Sequence, residues 1–278
     1  SSRLMPSLFV LMVALILYVL TQDGAMEGLK HYLVPDFSQI TDPKLIVSAM
    51  GQAFFSLSLG VGTMLVYGSY IRADENLPVV GALVTLTDTS VAFLAGLLVL
   101  PAIFVAQNLG VTIYAESGNL IAGPDLIFQV LPALFDGMGA TGLFVGLAFF
   151  LLMSIAAVTS SISMLEVPVS YAVEAHEVSR NRATWLVGVL VFGISTLICF
   201  NFDGLFGFVI TMTTERAQPL LSMMLCIFAG WIFYRNSILE ELKSGDPDVE
   251  QGIFWKIWPV YVKFFCLALI LLTFAQGF

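Results

Sequence analysis

Seven long apolar stretches constrain the fold of this chain more than any other feature. They cover residues 4–21, 46–71, 77–106, 140–173, 183–200, 204–234 and 254–275. About 20 apolar residues suffice for a helix to cross the hydrocarbon core of a bilayer. Hydrophobic residues make up 58% of the chain, above the roughly 45–50% that is typical of soluble domains. Because lipid offers backbone N–H and C=O groups no partner, we expect each crossing to be helical.

This pattern predicts an all-α membrane protein, a polytopic helical bundle in which residues 1–278 form a single transmembrane domain. Most Arg and Lys residues fall on one side of the membrane if the first span starts in the cytoplasm, as the positive-inside rule requires. The net charge of −9 comes mainly from acids in connecting segments, which indicates solvated loops and no nucleic-acid partner. A shorter apolar piece at 126–135 is expected to form a re-entrant or surface helix.

The stretch FFSLSLGVGTM (54–64) is unusual for a membrane span. Glycine lowers helix stability by about 1 kcal/mol relative to alanine, and serine offers the backbone competing hydrogen bonds. Ser56, Ser58, Gly60 and Gly62 therefore favour a break near the middle of the membrane, which is tolerated only where it lines a cavity. The alternative is an unbroken helix that presents small residues to a neighbouring helix.

A second polar pattern occupies AAVTSSISM (156–164). Ala156, Thr159, Ser160 and Ser163 follow the i, i+3, i+4, i+7 spacing and form one stripe of a helix. Neutral oxygens gathered in a dry setting suit part of the shell of a small hard cation. The alternative is that the hydroxyls donate to carbonyls one turn earlier and merely pack.

Carboxylates inside apolar stretches are the third unusual feature. Asp88 lies within 77–106, where an acid costs at least about 2.5 kcal/mol and by default indicates a functional site. A protonated Asp88 that bridges two helices is the alternative. Glu166 is also hard to explain as a solvated residue, whereas Glu215 and Arg216 are neighbours that do not face each other on a helix. Because hydrolase, metalloprotease and nucleotide-binding motifs are absent from the sequence, these features favour an ion-coupled solute site over an enzyme.

Three motifs in this order resemble the neurotransmitter:sodium symporter family, and in particular its bacterial sodium-dependent amino-acid transporters. They are GQAFFSLSLGVGTMLVYGSYIRADENLP (51–78), TDTSVAFLAG (87–96) and AVTSSISMLE (157–166). The resemblance implies the inverted-repeat leucine-transporter fold with a broken helix 6, in the bacterial inner (plasma) membrane. It also implies that the chain spans helices 5 to 11 and that helices 1–4 of the same protein are missing partners.

The resemblance further implies roles for individual residues. The first of two sodium ions would bind to Ser56 and Asp88, and the second to Ala156 (through its carbonyl), Thr159 and Ser160. No organic cofactor is implied. The residues implied for the amino-acid site are Phe55, Ser56, Ser58, Gly60, Val61, Ser161 and Met164. Those implied for the inner gate are Tyr70, Glu166 and Glu174.

Three departures from the family's pattern bear on the expected function. Animal members of the family obtain a negative charge from a chloride ion, which would lie near Gln52 here. A fixed carboxylate at Asp88 would replace that charge, and Ala92 cannot help to hold an anion. Val61 leaves space in the substrate pocket for a larger side chain. The acid expected at the outer gate has no good match, because Asp203 is only a poor candidate for it. We therefore expect chloride-independent, sodium-coupled symport of hydrophobic amino acids by alternating access. A receptor or a channel-like protein on the same fold is the alternative.

Overall fold

The computed structural model describes residues 4–35, 37–114, 120–121 and 123–276. The α-helices are Leu4–Val19 (α1), Ala25–Leu33 (α2), Pro43–Ser56 (α3), Thr63–Ser69 (α4), Leu77–Asn108 (α5), Gly123–Asp125 (α6), Leu131–Gly137 (α7), Ala140–His176 (α8), Arg180–Phe200 (α9), Phe202–Ile210 (α10), Gln218–Ile227 (α11), Arg235–Gly245 (α12), Ile253–Val260 (α13) and Leu267–Gln276 (α14). Segments of π-helix occupy Leu126–Val130, Thr211–Ala217, Phe228–Ile232 and Tyr261–Cys266. Among the described residues, extended pairing is limited to an isolated bridge between Tyr114 and Leu120, so the all-α class is confirmed.

Several of these helices are long and apolar enough to cross a membrane. Within the described residues, four single helices qualify, namely α5, α8, α9 and the continuous helix Ile253–Leu272. A fifth candidate is the pair formed by Gly204–Ile232 and α12, which are bent by 98° relative to each other and qualify only together. These five correspond to five of the seven predicted spans. The stretch at 46–71 is divided between α3 and α4, and the described part of α1 has 16 residues.

The spans leave large apolar side chains uncovered. Phe144 and Phe192 are each 74% exposed, and Phe200 is 88% exposed. Water would make such a surface strongly unfavourable, whereas lipid or a neighbouring helix covers it without cost. The exposed faces therefore agree with a polytopic membrane protein.

By its internal packing the chain divides into two compact units. Unit 1 comprises Ser1–Phe37 and Thr89–Ser161. Its core gathers buried apolar side chains of α1, of the second half of α5, of α7 and of the first part of α8. Tyr32 donates a hydrogen bond of 3.2 Å to the carbonyl of Phe93. Gly96 permits this approach, because a Cβ there would lie 2.3 Å from the Tyr32 side chain.

The apolar piece at 126–135 is helical, as expected. It forms the π-helical segment Leu126–Val130 and the start of α7, with Val130, Leu131 and Leu134 at most 2% exposed. These side chains belong to the core of unit 1, whereas Phe128 is 69% exposed, and the re-entrant or surface position of the helix stays a prediction. A segment this short has no reliable periodicity, and only its tertiary neighbours determine which side is buried.

Unit 2 comprises Ser38–Asp88 and Ile162–Phe278. A small second core, centred on Leu242, Val249 and Trp255, packs α12 against the segment that follows it. Asn76 caps the start of α5 by accepting a 3.1 Å hydrogen bond from the N–H of Val79, and its amide donates to Asp246 at 3.1 Å. The loop after the broken helix is thereby attached to the end of α12.

Candidate functional site

The predicted break in the apolar stretch 46–71 is present. Because α3 ends at Ser56 and α4 begins at Thr63, the chain between them is not helical. Ser58, Gly60 and Gly62 have φ angles of 52°, 78° and 86°. Glycine adopts such angles freely, whereas an L-residue such as Ser58 carries a cost of about 1–2 kcal/mol. The prediction of a broken helix is confirmed, and the alternative of an unbroken helix is wrong.

Contacts with α11 support this break. A Cβ added to Gly60 would lie 2.3 Å from the carbonyl oxygen of Gln218 and 2.5 Å from the hydroxyl of Ser222, so only glycine fits. Gln218 is 5% exposed, and its amide donates a 3.1 Å hydrogen bond to the carbonyl of Phe54 in the last turn of α3. The carbonyl of Phe54, which also accepts a 2.9 Å hydrogen bond from the N–H of Leu59, thus obtains a second donor at the helix end. Sequence analysis missed Gln218, because nothing in its local sequence links it to residue 54.

Ser56 and Asp88 meet within unit 2, although they are 32 positions apart in sequence. The Ser56 hydroxyl lies 2.8 Å from each carboxylate oxygen of Asp88, and both residues are half-buried. One hydroxyl and one carboxylate therefore lie together at the residue where α3 ends. Hard oxygens with a net negative charge are ligands that a small hard cation prefers. Their role as sodium ligands stays a prediction, but the two residues are in contact.

The other residues implied for the substrate site present apolar or small polar surface. Phe55 is 51% exposed, Val61 is 38% exposed and Met164 is 48% exposed, all within unit 2. Ser58 is half-buried inside the break, and Ser161 belongs to unit 1. The exposed apolar side chains are available to contact a bound molecule. Their assignment to a substrate site stays a prediction.

The hydroxyl stripe lies on α8, which continues without interruption. The Thr159 hydroxyl is 3.0 Å from the carbonyl oxygens of Ile155 and Ala156, and the Ser161 hydroxyl donates to Ala157 at 2.8 Å. These bonds are the back-bonding geometry that the sequence left open as an alternative. They also place the oxygens of Thr159 and Ala156 side by side, and a hydroxyl that donates its proton keeps its lone pairs for a cation. Ser160, the third implied ligand, is exposed.

A polar cluster joins the end of the broken helix to α8 and α9. The Tyr70 hydroxyl donates to Glu166 at 2.7 Å and lies 2.9 Å from the Ser170 hydroxyl, which itself donates to Glu166 at 3.0 Å. Arg180 Nη2 lies 2.7 Å from both carboxylate oxygens of Glu166. The Glu166 side chain is 18% exposed, so its charge is largely satisfied by these donors.

Two members of this cluster were missed by sequence analysis. Ser170 follows Glu166 by one helical turn and was detectable by spacing alone. Arg180 belongs to the next helix and contributed only to the positive-inside count, so only the fold reveals its partner. Glu174, the third residue implied for the inner gate, is exposed and forms no ion pair within the part of the chain that the structure describes.

The remaining candidates have simple outcomes. Gln52 and Ala92 are exposed. The side chains of Asp203 and Glu215 lie outside the described residues, and Arg216 lies in the π-helical segment Thr211–Ala217. Among residues 4–35, 37–114, 120–121 and 123–276, no three His, Cys, Asp or Glu side chains are grouped to hold a metal ion. Hydroxyl, carboxylate and carbonyl oxygens are therefore the cation ligands that these residues offer.

An apolar stretch that is interrupted beside a carboxylate is typical of the class of membrane transporters with discontinuous helices. The chain belongs to the sodium:neurotransmitter symporter family, whose model matches residues 2–277. This family consists of transporters and not of enzymes, as the sequence predicted.

Relatives agree with this assignment. An uncharacterised sodium-dependent transporter of Haemophilus influenzae is 35% identical over 280 residues, which are 99% of this chain and 59% of that protein. Another from Bacillus subtilis is 31% identical over 284 residues, which are 99% of this chain and 60% of that protein. The crystal structure of MhsT in complex with L-phenylalanine has a TM-score of 0.81 and 36% identity, covering 100% of this chain and 62% of MhsT. The chain thus spans about 60% of the length of these relatives.

Proposed function

We propose that the complete protein is a sodium-coupled symporter for amino acids that works by alternating access. The observation that carries this proposal is the contact of Ser56 with Asp88 at the break of a membrane helix. Membership of a sodium symporter family supports it. The first sodium ion would bind to Ser56 and Asp88, and the second to the carbonyl of Ala156 with the hydroxyls of Thr159 and Ser160.

The proposed substrates are amino acids with hydrophobic side chains. MhsT, which is similar over this whole chain, has been solved in complex with L-phenylalanine. Phe55, Val61 and Met164 offer apolar surface to such a side chain, and Val61 leaves more space than an aromatic residue would. The interrupted helix offers carbonyl groups at one end and N–H groups at the other, which suit the two charges of a zwitterion.

Alternating access requires that the cluster around Glu166 opens towards the inside. Tyr70 lies directly after the broken helix, so its hydrogen bond to Glu166 connects the substrate region with the proposed inner gate. A tenfold sodium gradient supplies about 1.4 kcal/mol per ion, and 100 mV adds about 2.3 kcal/mol per charge. Two ions therefore provide about 7 kcal/mol, enough for a solute gradient of about 10⁵-fold.

We further propose that transport does not require chloride. The carboxylate of Asp88 supplies a fixed negative charge directly beside Ser56, at 2.8 Å. Ala92, one helical turn later, offers no hydrogen-bond donor to an anion. A second anion would therefore add unfavourable repulsion near Asp88 without a dedicated donor.

Uptake by the full-length protein in proteoliposomes tests this function. We expect uptake of labelled phenylalanine, leucine or tryptophan that requires external sodium, fails with potassium and persists without chloride. Asp88→Asn keeps the shape but removes the charge, so the apparent sodium affinity should fall about tenfold or more, which is about 1.4 kcal/mol. Asp136→Asn, which changes an exposed acid of unit 1, is the matched control and should leave this affinity unchanged.

The alternatives give distinct results in the same assay. Saturable amino-acid binding without uptake would assign a receptor, and conductance that does not saturate would assign a channel. Uptake that ignores sodium would contradict the proposal. A chloride requirement would contradict only the role of Asp88 as the fixed charge.

A further inference from the structure

A basic cavity lies between two π-helical segments of unit 2, Phe228–Ile232 and Tyr261–Cys266. It has a volume of about 360 Å³, and its lining contains Arg235 and Lys263 but no acidic residue. A Cβ at Gly230 would lie 3.2 Å from the Cα of Lys263, so the glycine lets the two segments approach closely. Segments of π-helix occur frequently at functional sites. The aromatic part of the lining consists of Phe233, Trp258 and Phe264.

Lys263 is a charged residue inside the candidate membrane span Ile253–Leu272. Its ammonium group lies 4.0 Å from the centroid of the Trp231 ring and 5.9 Å from that of Phe264. Its ammonium is in no ion pair with a carboxylate of the described residues. A ring face offsets only part of the cost of placing an ammonium in a span, and such a residue indicates a functional site by default.

Arg235 provides the second positive charge at the place where a span meets the membrane surface. It begins α12, which turns by 98° from the apolar segment Gly204–Ile232. The guanidinium lies 5.2 Å from the centroid of the buried Trp255 ring, within the range of a cation–π contact. The forked N–H groups of a guanidinium match phosphate oxygens.

We propose that this cavity binds the phosphate headgroup of an anionic phospholipid. The two cations of the lining, which contains no acidic residue, complement the negative charge of the phosphate group. Basic pockets between membrane helices on the cytoplasmic side recognise such headgroups. The surface beside the cavity is apolar and exposed, with Trp231 at 56%, Val260 at 62% and Phe264 at 56%, and it suits the acyl chains. A soluble anion would contact only the two cations and would leave this apolar surface uncovered. The site requires membrane insertion and does not depend on the proposed transport activity.

Native mass spectrometry of the full-length protein in neutral detergent tests the site. Phosphatidylglycerol, phosphatidylcholine and inorganic phosphate are titrated separately. We expect one saturable phosphatidylglycerol site that prefers this lipid over phosphatidylcholine. Lys263→Gln and Arg235→Gln should each weaken it about fivefold, which is the equivalent of about 1 kcal/mol for one cation near the membrane surface. Lys263→Arg keeps the charge and should restore binding.

A matched control separates this site from general attraction between charges. Lys256→Gln removes the same charge from the same membrane helix but outside the lining of the cavity, and should leave the affinity unchanged. Equal weakening by Lys256→Gln would overturn the proposal, as would equal binding of the two lipids. Inorganic phosphate that binds as tightly as phosphatidylglycerol would assign the cavity to a free anion and overturn the lipid assignment. Arg235 is exposed, so its variant provides a test even if Lys263→Gln does not fold.

Discussion

Two segments of this chain hold oxygen atoms within apolar helices, and they do so in opposite ways. Between Ser56 and Thr63 the helix stops, adopts positive φ angles and restarts, with its backbone packed against α11. Along α8 the helix continues through the hydroxyl stripe, where Thr159 and its neighbour Ser161 donate to carbonyls one turn earlier. The first arrangement depends on residues far away in sequence, whereas these hydrogen bonds close within one helix.

This difference has an energetic consequence. A break in an apolar span leaves backbone groups without helical partners, and each such group is unfavourable unless another element satisfies it. At the end of α3, the carbonyl of Phe54 accepts from the N–H of Leu59 and also from the amide of Gln218 on α11. Hydroxyls that donate to carbonyls of their own helix need no distant partner and change helix stability little. Substitutions at the break should therefore alter stability, and substitutions in the stripe should alter ion binding alone.

Gly60→Ala should have the largest effect. The new Cβ would lie 2.3 Å from the carbonyl oxygen of Gln218, and a φ of 78° is unfavourable for alanine. Strain of the backbone and overpacking together should lower the free energy of unfolding by about 2–5 kcal/mol. The measurement is thermal unfolding of the full-length protein in detergent, followed by its fluorescence.

The control for this change is a glycine in a continuous helix. A Cβ at Gly193 in α9 meets nothing within 4 Å, so Gly193→Ala should stabilise the protein by up to about 1 kcal/mol. Opposite signs for the two substitutions would establish that the break depends on close contact. If Gly60→Ala were as well tolerated as Gly193→Ala, the contact with α11 would not support the break.

Gln218→Leu should have the next largest effect. It preserves the size of a buried side chain but removes the 3.1 Å hydrogen bond to the carbonyl of Phe54. The Phe54 carbonyl keeps its 2.9 Å hydrogen bond from the N–H of Leu59, so the change should cost about 0.5–1.5 kcal/mol, the net value of one hydrogen bond. Thermal unfolding measures this loss. Gln129→Leu is the control, because Gln129 is exposed and donates only to Asp125 one turn earlier. Equal losses for the two variants would show that the Gln218 bond has no special role at the break.

The same contrast explains what the sequence could predict. Local composition predicts the spans, the all-α class and the position of the break. The length of an apolar stretch and the effects of serine and glycine on a helix depend only on residues close together in sequence. The contact of Ser56 with Asp88 was expected only from the family resemblance, and the structure shows it at 2.8 Å. Gln218 and Arg180 were missed, because their partners lie on other helices and no local pattern identifies them. The buried side of 126–135 was not predicted, for the same reason.

The smallest effect on stability is expected for Thr159→Val. Its hydroxyl donates to the carbonyls of its own helix at 3.0 Å, so its loss should change the free energy of unfolding by less than about 0.5 kcal/mol. Thr196→Val removes an equivalent bond, from Thr196 to the carbonyl of Phe192 at 2.7 Å, and is the matched control.

The two threonine variants should differ in sodium dependence. If the oxygens of Thr159 and Ala156 bind sodium, Thr159→Val lowers the apparent sodium affinity of uptake about fivefold, which is about 1 kcal/mol, whereas Thr196→Val leaves it unchanged. Equal sodium affinities would mean that the stripe only packs, as back-bonding alone suggests. A loss of stability in Thr159→Val alone would instead mean that the stripe, like the break, depends on contacts outside its own helix.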